Sequence, residues 1–334
     1  MATGGAVTAR QLARQLGVSQ SMVSRAFDPA TSVAPAMRAR ILEAAAALGY
    51  RPNGIAAALT RRRSRIVGLV MGELQNPFYP AVLEQMTLAL QAAGFEALLL
   101  TVPPGQQADA CLPRLRQYQV DAVVLTSASL SSAGATHWLG DGRAAVLFNR
   151  TASGATPLDS VACDNAAGAR LAAEALLDAG RRELVFVAGR PDTSTSQERE
   201  RGFLSAFAAR GLRAPRRIAA GDFSYEAGHR AALQAGNADG IFFANDILAL
   251  GGMDALRHAA GRRVPQDVAV MGFDDIPMAG WPGYSLTTLR QPVAAMIEAT
   301  IEILQARLEG DRQPARALRL PAALVPRGSF LPAA

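Results

Sequence analysis

The sequence contains no lysine, and all 34 of its basic residues are arginine. A P-loop requires a lysine that reaches the nucleotide phosphates, so this absence excludes P-loop ATPases and GTPases. The sequence also contains only two cysteines, Cys111 and Cys163, and they lie far apart along the chain. This excludes a disulfide framework and a cysteine-rich zinc site. We expect both residues to be buried thiols in a reducing compartment.

Other features of enzymes and exported proteins are also missing. The three histidines, His137, His229 and His258, are scattered and show no zinc-ligand spacing. No nucleophile elbow is present, and no GxGxxG motif follows a first strand. We therefore expect no metal, no cofactor and no catalytic activity. The N-terminus lacks the apolar core of a secretory signal and no apolar run could span a membrane, so we expect a cytoplasmic protein.

Charge is concentrated at one end of the chain. Residues 1–65 contain ten arginines but only Asp28 and Glu43 as acids, a net charge of +8, which leaves −2 for the remainder because the total is +6. The 334 residues, 50% of them hydrophobic, suffice for two or three domains with large cores. The basic N-terminal segment is what binding to DNA phosphates requires.

That basic segment has the spacing of a helix-turn-helix. Leu12, Ala13 and Leu16 lie on one face of a short helix, Gly17 fits a turn with positive φ, and Val18 is expected to plug the core. A third helix is predicted from Pro35 through Met37, Ile41, Leu42, Ala45 and Leu48, ending at Gly49. Together these elements predict a small all-α domain.

The second helix of this motif presents side chains that read DNA. Ser19 is placed to cap it by accepting from an amide near Met22, while Met22, Val23 and Ala26 point inward. The outward face consists of Gln20, Ser21, Ser24 and Arg25. Glutamine can pair with adenine, arginine with guanine, and serine with bases or phosphates. The alternative is an ordinary solvated helix face.

From Ile66 onward, short apolar runs alternate with helical stretches, which is typical of parallel βαβ units. Two series of such units predict two doubly wound lobes, with crossings near 161–165 and 286–291. In such folds ligands bind at the carboxyl ends of strands, so loops of both lobes should face one cleft. The loops supply Asn76, Phe78, Tyr79, Ser127, Ser129, Asn149, Arg150, Asp164, Arg199, Phe223, Asn245 and Asp274.

These residue types suit a carbohydrate. Aromatic rings cover the apolar face of a sugar, amides and carboxylates bond its hydroxyls, and Arg199 can pair with the carboxylate of a sugar acid. Simpler structural roles remain open for several of them. Asn245 and Asp246 can cap the following helix, Asp274 and Asp275 can form a turn, and the two phenylalanines can be core.

Several ordered motifs together carry a family resemblance that covers nearly the whole chain. LARQLGVSQSMVSRAF, LGYRPNGIAAAL and RIVGLVMGELQNPFYP are followed by FANDILALGGMDAL, VAVMGFDD, LTTLRQP and LVPRGS. This combination resembles the LacI/GalR family of bacterial transcription regulators. It implies an N-terminal all-α helix-turn-helix domain and an α/β periplasmic-binding-protein-like effector domain with two doubly wound parallel-sheet lobes.

The resemblance also implies boundaries and contacts. It places the DNA-binding domain at 1–62, lobe one at 63–162 plus 291–334, and lobe two at 163–290. Residues 53–60 match a hinge helix that orders in the operator's minor groove, where Leu59 would act as a wedge. The family's effector contacts match Phe78, Arg199, Phe223, Asn245 and Asp274. The predicted DNA contacts are Thr8, Ser19, Gln20, Ser21, Ser24, Arg25, Asn53, Ala56 and Leu59.

The function predicted from the sequence is transcriptional regulation. We expect a repressor of a carbohydrate-utilisation operon that binds a pseudo-palindromic operator as a homodimer or higher oligomer. A sugar or sugar acid is expected to release it. The alternative is a solute-binding protein with the same lobes and no role at DNA, and the basic N-terminal segment argues against it.

Overall fold

The computed structural model describes residues 7–28, 31–51, 63–103, 106–126, 130–151 and 158–330. The chain divides into two units, Met1–Arg65 and Ile66–Ala334. Asn53, Ala56 and Leu59 of the expected hinge helix lie outside the described residues, as do Ser127 and Ser129.

The first unit contains three helices, α1 (Ala9–Leu16), α2 (Gln20–Ala26) and α3 (Pro35–Ala47). Thr8 caps α1 and exchanges hydrogen bonds with Gln11, while Gly17 ends it at φ 67°. A compact core forms where the apolar faces of the three helices meet. It consists of Leu12, Ala13, Val23, Ala26, Ile41 and Ala45.

The packing of this unit differs from the sequence pattern most clearly at one position of α3. The other apolar residues of that pattern outside the fully buried set, Leu16, Val18, Met22, Met37 and Leu48, are half-buried and pack against the core. Leu42, expected in the core, has 40% of its surface exposed. It directly follows Ile41, which fills the contact with the other helices, so the next residue of α3 faces outward.

The second unit has twelve strands within its described part. Their bounds are β1 Ile66–Met71, β2 Glu96–Thr101, β3 Ala122–Thr126, β4 Ala144–Phe148, β5 Asp159–Cys163, β6 Leu184–Ala188, β7 Arg216–Ala219, β8 Gly240–Phe243, β9 Ala269–Asp274, β10 Thr287–Arg290, β11 Ala317–Leu320 and β12 Ala323–Val325. They form two sheets, ordered β11-β5-β4-β3-β1-β2 and β12-β10-β9-β8-β6-β7. All pairings are parallel except that of β12 with β10.

Helices connect the strands of each sheet. They are α4 Phe78–Ala92, α5 Leu112–Gln117, α6 Ser132–Gly140, α7 Asn165–Asp178, α8 Ser194–Ala209, α9 Tyr225–Leu233, α10 Asp246–Asp254 and α11 Val293–Leu308. A π-helical turn, Ala255–Ala259, continues α10. Because α11 packs on β4, β5 and α4, the chain returns to the first lobe after β10, as the sequence predicted.

The end of the chain departs from the predicted lobe boundaries. Residues 291–334 were assigned wholly to lobe one, but β12 pairs with β10 in the second sheet. The Ser329 hydroxyl donates to the Val270 carbonyl at 2.6 Å and accepts from the Thr287 amide at 2.8 Å. These bonds hold the segment around Ser329 in lobe two. The chain therefore crosses between the lobes a third time, at 320–323.

Candidate functional site

The surface of the first unit carries the predicted DNA readers. Thr8, Ser19, Gln20, Ser21, Ser24 and Arg25 are all exposed. Ser19 accepts from the Met22 amide at 3.1 Å, and its hydroxyl lies 2.9 Å from that of Ser21. The cap fixes the start of α2, so the exposed side chains that follow it project from one face of the helix.

Arg38 fixes the segment after α2. Its guanidinium donates to the Ala26 and Asp28 carbonyls at 2.9 Å and to the Thr31 carbonyl at 2.6 Å. The Thr31 hydroxyl donates back to the Arg25 carbonyl at 2.6 Å. One arginine of the basic segment is thus structural, whereas Arg25 keeps an exposed guanidinium for a partner.

In the second unit, Arg199 of α8 is buried at the carboxyl ends of the lobe-two strands. Its three nitrogens donate to Asn165 Oδ1 at 2.9 Å, the Ala244 carbonyl at 2.6 Å and Asp274 Oδ1 at 3.0 Å. Its guanidinium carbon lies 3.8 Å from the centroid of the Phe273 ring. This set of contacts holds Arg199 in one orientation.

Asp274 connects that arginine to the crossing after β10. Its φ of 123° is unusual for a residue other than glycine and aims the side chain off the end of β9. Gln291 Nε2 donates to Asp274 Oδ1 at 2.7 Å. Burial raises the pKa of the Asp274 carboxyl, and Arg199 opposes that rise.

Lobe one contributes Asn149 and Arg150, which follow β4. Asn149 has a φ of 54°, and Arg150 Nη1 donates to its carbonyl at 2.9 Å. The same nitrogen lies 3.4 Å from Thr195 Oγ1 of lobe two. Burial raises the pKa of the Tyr79 phenol, and the nearby Arg150 lowers it. Arg150 therefore lies at the boundary between the lobes.

A charged cluster near the mouth of the cleft also joins the lobes. Glu73, which follows β1, accepts from Arg190 Nη1 of lobe two at 3.2 Å and lies 3.8 Å from Arg150 Nη2. Arg190 also makes a bidentate pair with Asp192 at 3.0 and 2.6 Å. Burial raises the pKa of Glu73, while Arg150 and Arg190 lower it.

A cavity of about 690 Å³ opens beside this cluster and is lined from both lobes. Lobe one supplies Glu73 and Asn76 among others, and lobe two supplies Arg190, Asp222 and Phe223. A cavity of this size with mixed polar and apolar walls is typical of small-ligand sites.

The structure brings many, but not all, of the predicted effector residues together. Tyr79, Asn149, Arg150, Arg199 and Asp274 form one connected group, and Asn76 and Phe223 line the cavity beside it. These assignments as ligand contacts remain predictions.

Three other predicted residues have structural roles. Phe78 is core and meets Tyr79 edge-on at 5.3 Å between ring centroids. Asn245 caps α10 by accepting from the Leu248 amide at 3.1 Å. Asp164 caps α7 by accepting from the Ala167 amide at 2.9 Å, and it lines a separate groove of about 490 Å³ with Glu198 and Arg319.

Sequence reasoning did not select Glu73, Arg190 or Gln291. Each lies just beyond the carboxyl end of a strand, after β1, β6 and β10 respectively. The rule that selected Asn149 and Asp274 would have found them. What the sequence lacked was any sign that Glu73 and Arg190 meet across the cleft.

Several buried polar atoms in this group have no hydrogen-bond partner among the described residues. They are Glu73 Oε2, Asn149 Oδ1, Arg150 Nη2 and Gln291 Oε1. Because buried polar groups are normally paired, such atoms at a cleft indicate where a polar ligand would bond.

Other features of the described part of the chain can be stated briefly. Cys111 and Cys163 are buried free thiols, as predicted, and burial raises the pKa of Cys163 to about 12. Within the described ranges, no cluster of three or more His, Cys, Asp or Glu side chains is suited to hold a metal ion. None of the helices in those ranges is long and apolar enough to cross a membrane.

Comparison with known proteins gives consistent matches to both units. Residues 8–53 match bacterial regulatory proteins of the lacI family, and residues 173–330 match a periplasmic binding protein-like domain. The HTH-type transcriptional regulator CelR of Thermobifida fusca is 31% identical over 322 residues, covering 91% of this chain and 92% of that protein. The ribose operon repressor of Halalkalibacterium halodurans is 28% identical over 325 residues, covering 96% of each chain.

A solved structure is similar along almost the entire chain. The complex of the transcriptional regulator CelR with cellobiose has a TM-score of 0.73 and 29% identity, covering 97% of this chain and 100% of that one. A helix-turn-helix unit followed by two parallel-sheet lobes around a cleft defines the class of DNA-binding regulators with an effector domain. The chain belongs to the LacI family of bacterial regulatory proteins. It is a sequence-specific DNA-binding transcriptional regulator, and the fold predicted from its sequence is confirmed.

Proposed function

We propose that this regulator is a cytoplasmic, homodimeric repressor of a carbohydrate-utilisation operon, released from a pseudo-palindromic operator by a small carbohydrate. One observation carries the proposal: the polar groups at the cleft come from both lobes, with Glu73 and Arg150 on one side and Arg190, Arg199 and Asp274 on the other. A ligand bonded to both sides favours one angle between the lobes.

The chemistry of the cleft supports a carbohydrate. Carboxylate, amide and guanidinium groups can each bond a ring hydroxyl, and Phe223 in the cavity wall offers an aromatic surface. Cellobiose is the ligand of the related CelR complex, and another relative represses a ribose operon. The ligand would act by binding alone, without being chemically changed, because the relatives are regulators rather than enzymes.

The proposed switch couples the lobe angle to residues 53–60. An effector shifts the conformational equilibrium only by its different affinities for the two states. A changed angle would move the points where the two chains of a dimer enter residues 53–60. A helix this short is marginal alone, so a small displacement would melt it and withdraw Leu59 from the minor groove.

The full chain tests this proposal directly. An operator is first selected from random duplex DNA, and its affinity is then measured by fluorescence anisotropy with and without cellobiose, ribose or galactose. Thermal shift identifies the bound sugar, since a ligand at 100 times its Kd stabilises the folded state by about 2.7 kcal/mol. We expect one sugar to raise the melting temperature and weaken operator binding.

Arg199→Ala should retain operator binding and lose the response to that sugar. Arg201→Ala is the matched control, since Arg201 lies on the same helix but is exposed. Gln291→Ala provides a milder second variant if removal of Arg199 disturbs folding. A normal response in both cleft variants contradicts the site. A sugar that strengthens operator binding reverses the proposed direction of control.

A further inference from the structure

The guanidinium groups of Arg190 and Arg199 are both held in place by the protein itself. Arg199 donates from all three of its nitrogens to Asn165, Ala244 and Asp274. Arg190 likewise donates from all three, to Asp192 and Glu73. Every nitrogen of these two guanidinium groups already has a protein partner, so a ligand carboxylate could use only the second hydrogens of Nη1 and Nη2.

Arg150 differs from these two arginines because one of its nitrogens lacks a hydrogen-bond partner in the described part of the chain, and Glu73 is the charged group beside that nitrogen. Arg150 Nη2 has no hydrogen-bond partner among the described residues, but it lies 3.8 Å from Glu73 Oε2. The side chains of both residues are largely buried, with 9% and 16% exposed. A ligand carboxylate reaching this nitrogen would therefore lie beside a carboxylate already present, where poor solvation strengthens the repulsion.

At the cleft, the other buried atoms of described residues that lack a hydrogen-bond partner are acceptors. They are Glu73 Oε2, Asn149 Oδ1 and Gln291 Oε1. Gln291 is fixed in this orientation because its amide nitrogen donates to the Asp274 carboxylate. These acceptors favour a ligand that presents hydroxyl donors. A carboxylate has no hydrogen to donate, so it could not replace a hydroxyl at any of these three positions.

The charges around the cavity also disfavour a negatively charged ligand. Asp222 and Glu226 also line it, in addition to Glu73 and Arg190. Acidic groups therefore outnumber basic ones in the cavity wall. The backbone places Glu73 for this role, since its φ of 50° turns the chain sharply after β1.

We propose that Glu73 determines ligand specificity: it accepts a hydrogen bond from a hydroxyl of an uncharged sugar, and it excludes sugar acids by occupying Arg150 and Arg190. This inference rests on the proposed function, because it assumes that the cleft binds a carbohydrate. It narrows the sequence-based expectation of a sugar or a sugar acid to the uncharged class.

The test compares neutral sugars with their acids on the full chain. The probes are galactose with galacturonate, glucose with gluconate, and cellobiose with cellobionate, measured by calorimetry at pH 8 because burial raises the pKa of Glu73. We expect wild type to bind one neutral sugar and to bind its acid at least 10-fold more weakly. Glu73→Gln should weaken the neutral sugar about 10- to 100-fold, as loss of a charged hydrogen bond does.

The same variant should bind the acid more tightly than wild type, because Arg150 loses its negative neighbour and Arg190 keeps only Asp192 as a negative partner. Glu84→Gln is the control, since it removes the same charge from an exposed position of α4, and it should behave as wild type. A neutral-to-acid ratio unchanged by Glu73→Gln overturns the role of Glu73 while leaving the proposed function intact. A wild-type preference for the acid overturns it as well. Absence of binding to any sugar or acid overturns the proposed function and this inference together.

Discussion

At the scale of single residues, one chemical group serves opposite purposes in this protein. Arg25 and Arg199 carry the same guanidinium, but Arg25 is exposed on α2 whereas only 2% of Arg199 is exposed. In water Arg25 can exchange solvent for a guanine edge or a phosphate. In the protein interior Arg199 must be paired throughout, and its three hydrogen bonds make it a fixed part of the site.

Arg25→Ala should therefore lower affinity for the selected operator by about 1–3 kcal/mol per half-site, through loss of a bidentate guanine contact. Binding to random DNA should change only by the loss of one charge. Arg14→Ala serves as the control, because loss of this exposed charge on α1 should weaken binding to all DNA sequences alike. If the sequence preferences of the Arg25→Ala and wild-type proteins coincide, Arg25 does not read bases.

The titration of Asp246 should affect stability between about pH 4 and about pH 7. It is fully buried, accepts from Thr288 Oγ1 at 2.5 Å and the Ile276 amide at 2.9 Å, and faces Asp274 and Asp275. Burial, together with the charge of Asp274, raises its pKa to about 7. Between the unfolded pKa of about 3.9 and this value, the folded state binds more protons than the unfolded state.

The contribution of Asp246 to the free energy of unfolding should consequently fall as pH rises from about 4 to 7, by up to about 4 kcal/mol. Asp246→Asn removes the titration, and its Oδ1 can still accept from the Ile276 amide while its Nδ2 donates to the Thr288 hydroxyl, which then acts as the acceptor. As the pH rises across this range, the free energy of unfolding of the variant should thus increase relative to that of wild type. Urea unfolding at several pH values measures it, and a pH-independent difference would show that Asp246 stays ionised.

At the scale of elements, close helix packing in lobe two depends on glycine. Gly202 of α8 lies against the backbone of Ala166 in α7, and a Cβ at Gly202 would collide with the Ala166 carbonyl oxygen. Backbone cannot move aside as a flexible side chain can. This contact sets the spacing between two helices that also carry Arg199 and its partner Asn165.

Gly202→Ala should lower the free energy of unfolding by about 1–3 kcal/mol, because it overpacks this helix contact. The matched control is Gly140→Ala at the end of α6, where a Cβ would meet open space. There the change should be neutral or stabilising by up to about 1 kcal/mol. Urea denaturation of the full chain compares them, and equal effects would rule out the packing explanation.

At the scale of the whole molecule, the proposed homodimer has consequences for DNA. Two copies related by a two-fold axis present two α2 helices to two half-sites, so the operator should be a pseudo-palindrome. Footprinting should protect both half-sites together, and dilution below the dimer dissociation constant should abolish specific binding. Full-affinity protection of one asymmetric half-site would contradict the dimer.

The sequence alone determined the features that depend on neighbours along the chain. The sequence predicts Ser19 as a cap, Gly17 as a turn and Pro35 as the start of the third helix, and the structure confirms each. Such features are fixed by bonds and side-chain spacing within a few residues, which a linear pattern records. The ordered motifs likewise determined the family.

Only the tertiary structure decided what depends on distant segments. It paired Arg199 with Asp274, brought Glu73 of lobe one against Arg190 of lobe two, and placed β12 in the second sheet. The sequence expected Leu42 to be buried, but packing exposed it. The sequence left two roles open for Asn245, and the structure shows the helix cap, while its contact with a ligand stays a prediction. The physical reason is that burial and charge pairing depend on which surfaces meet after the chain has folded, and residues far apart in sequence carry no local record of that meeting.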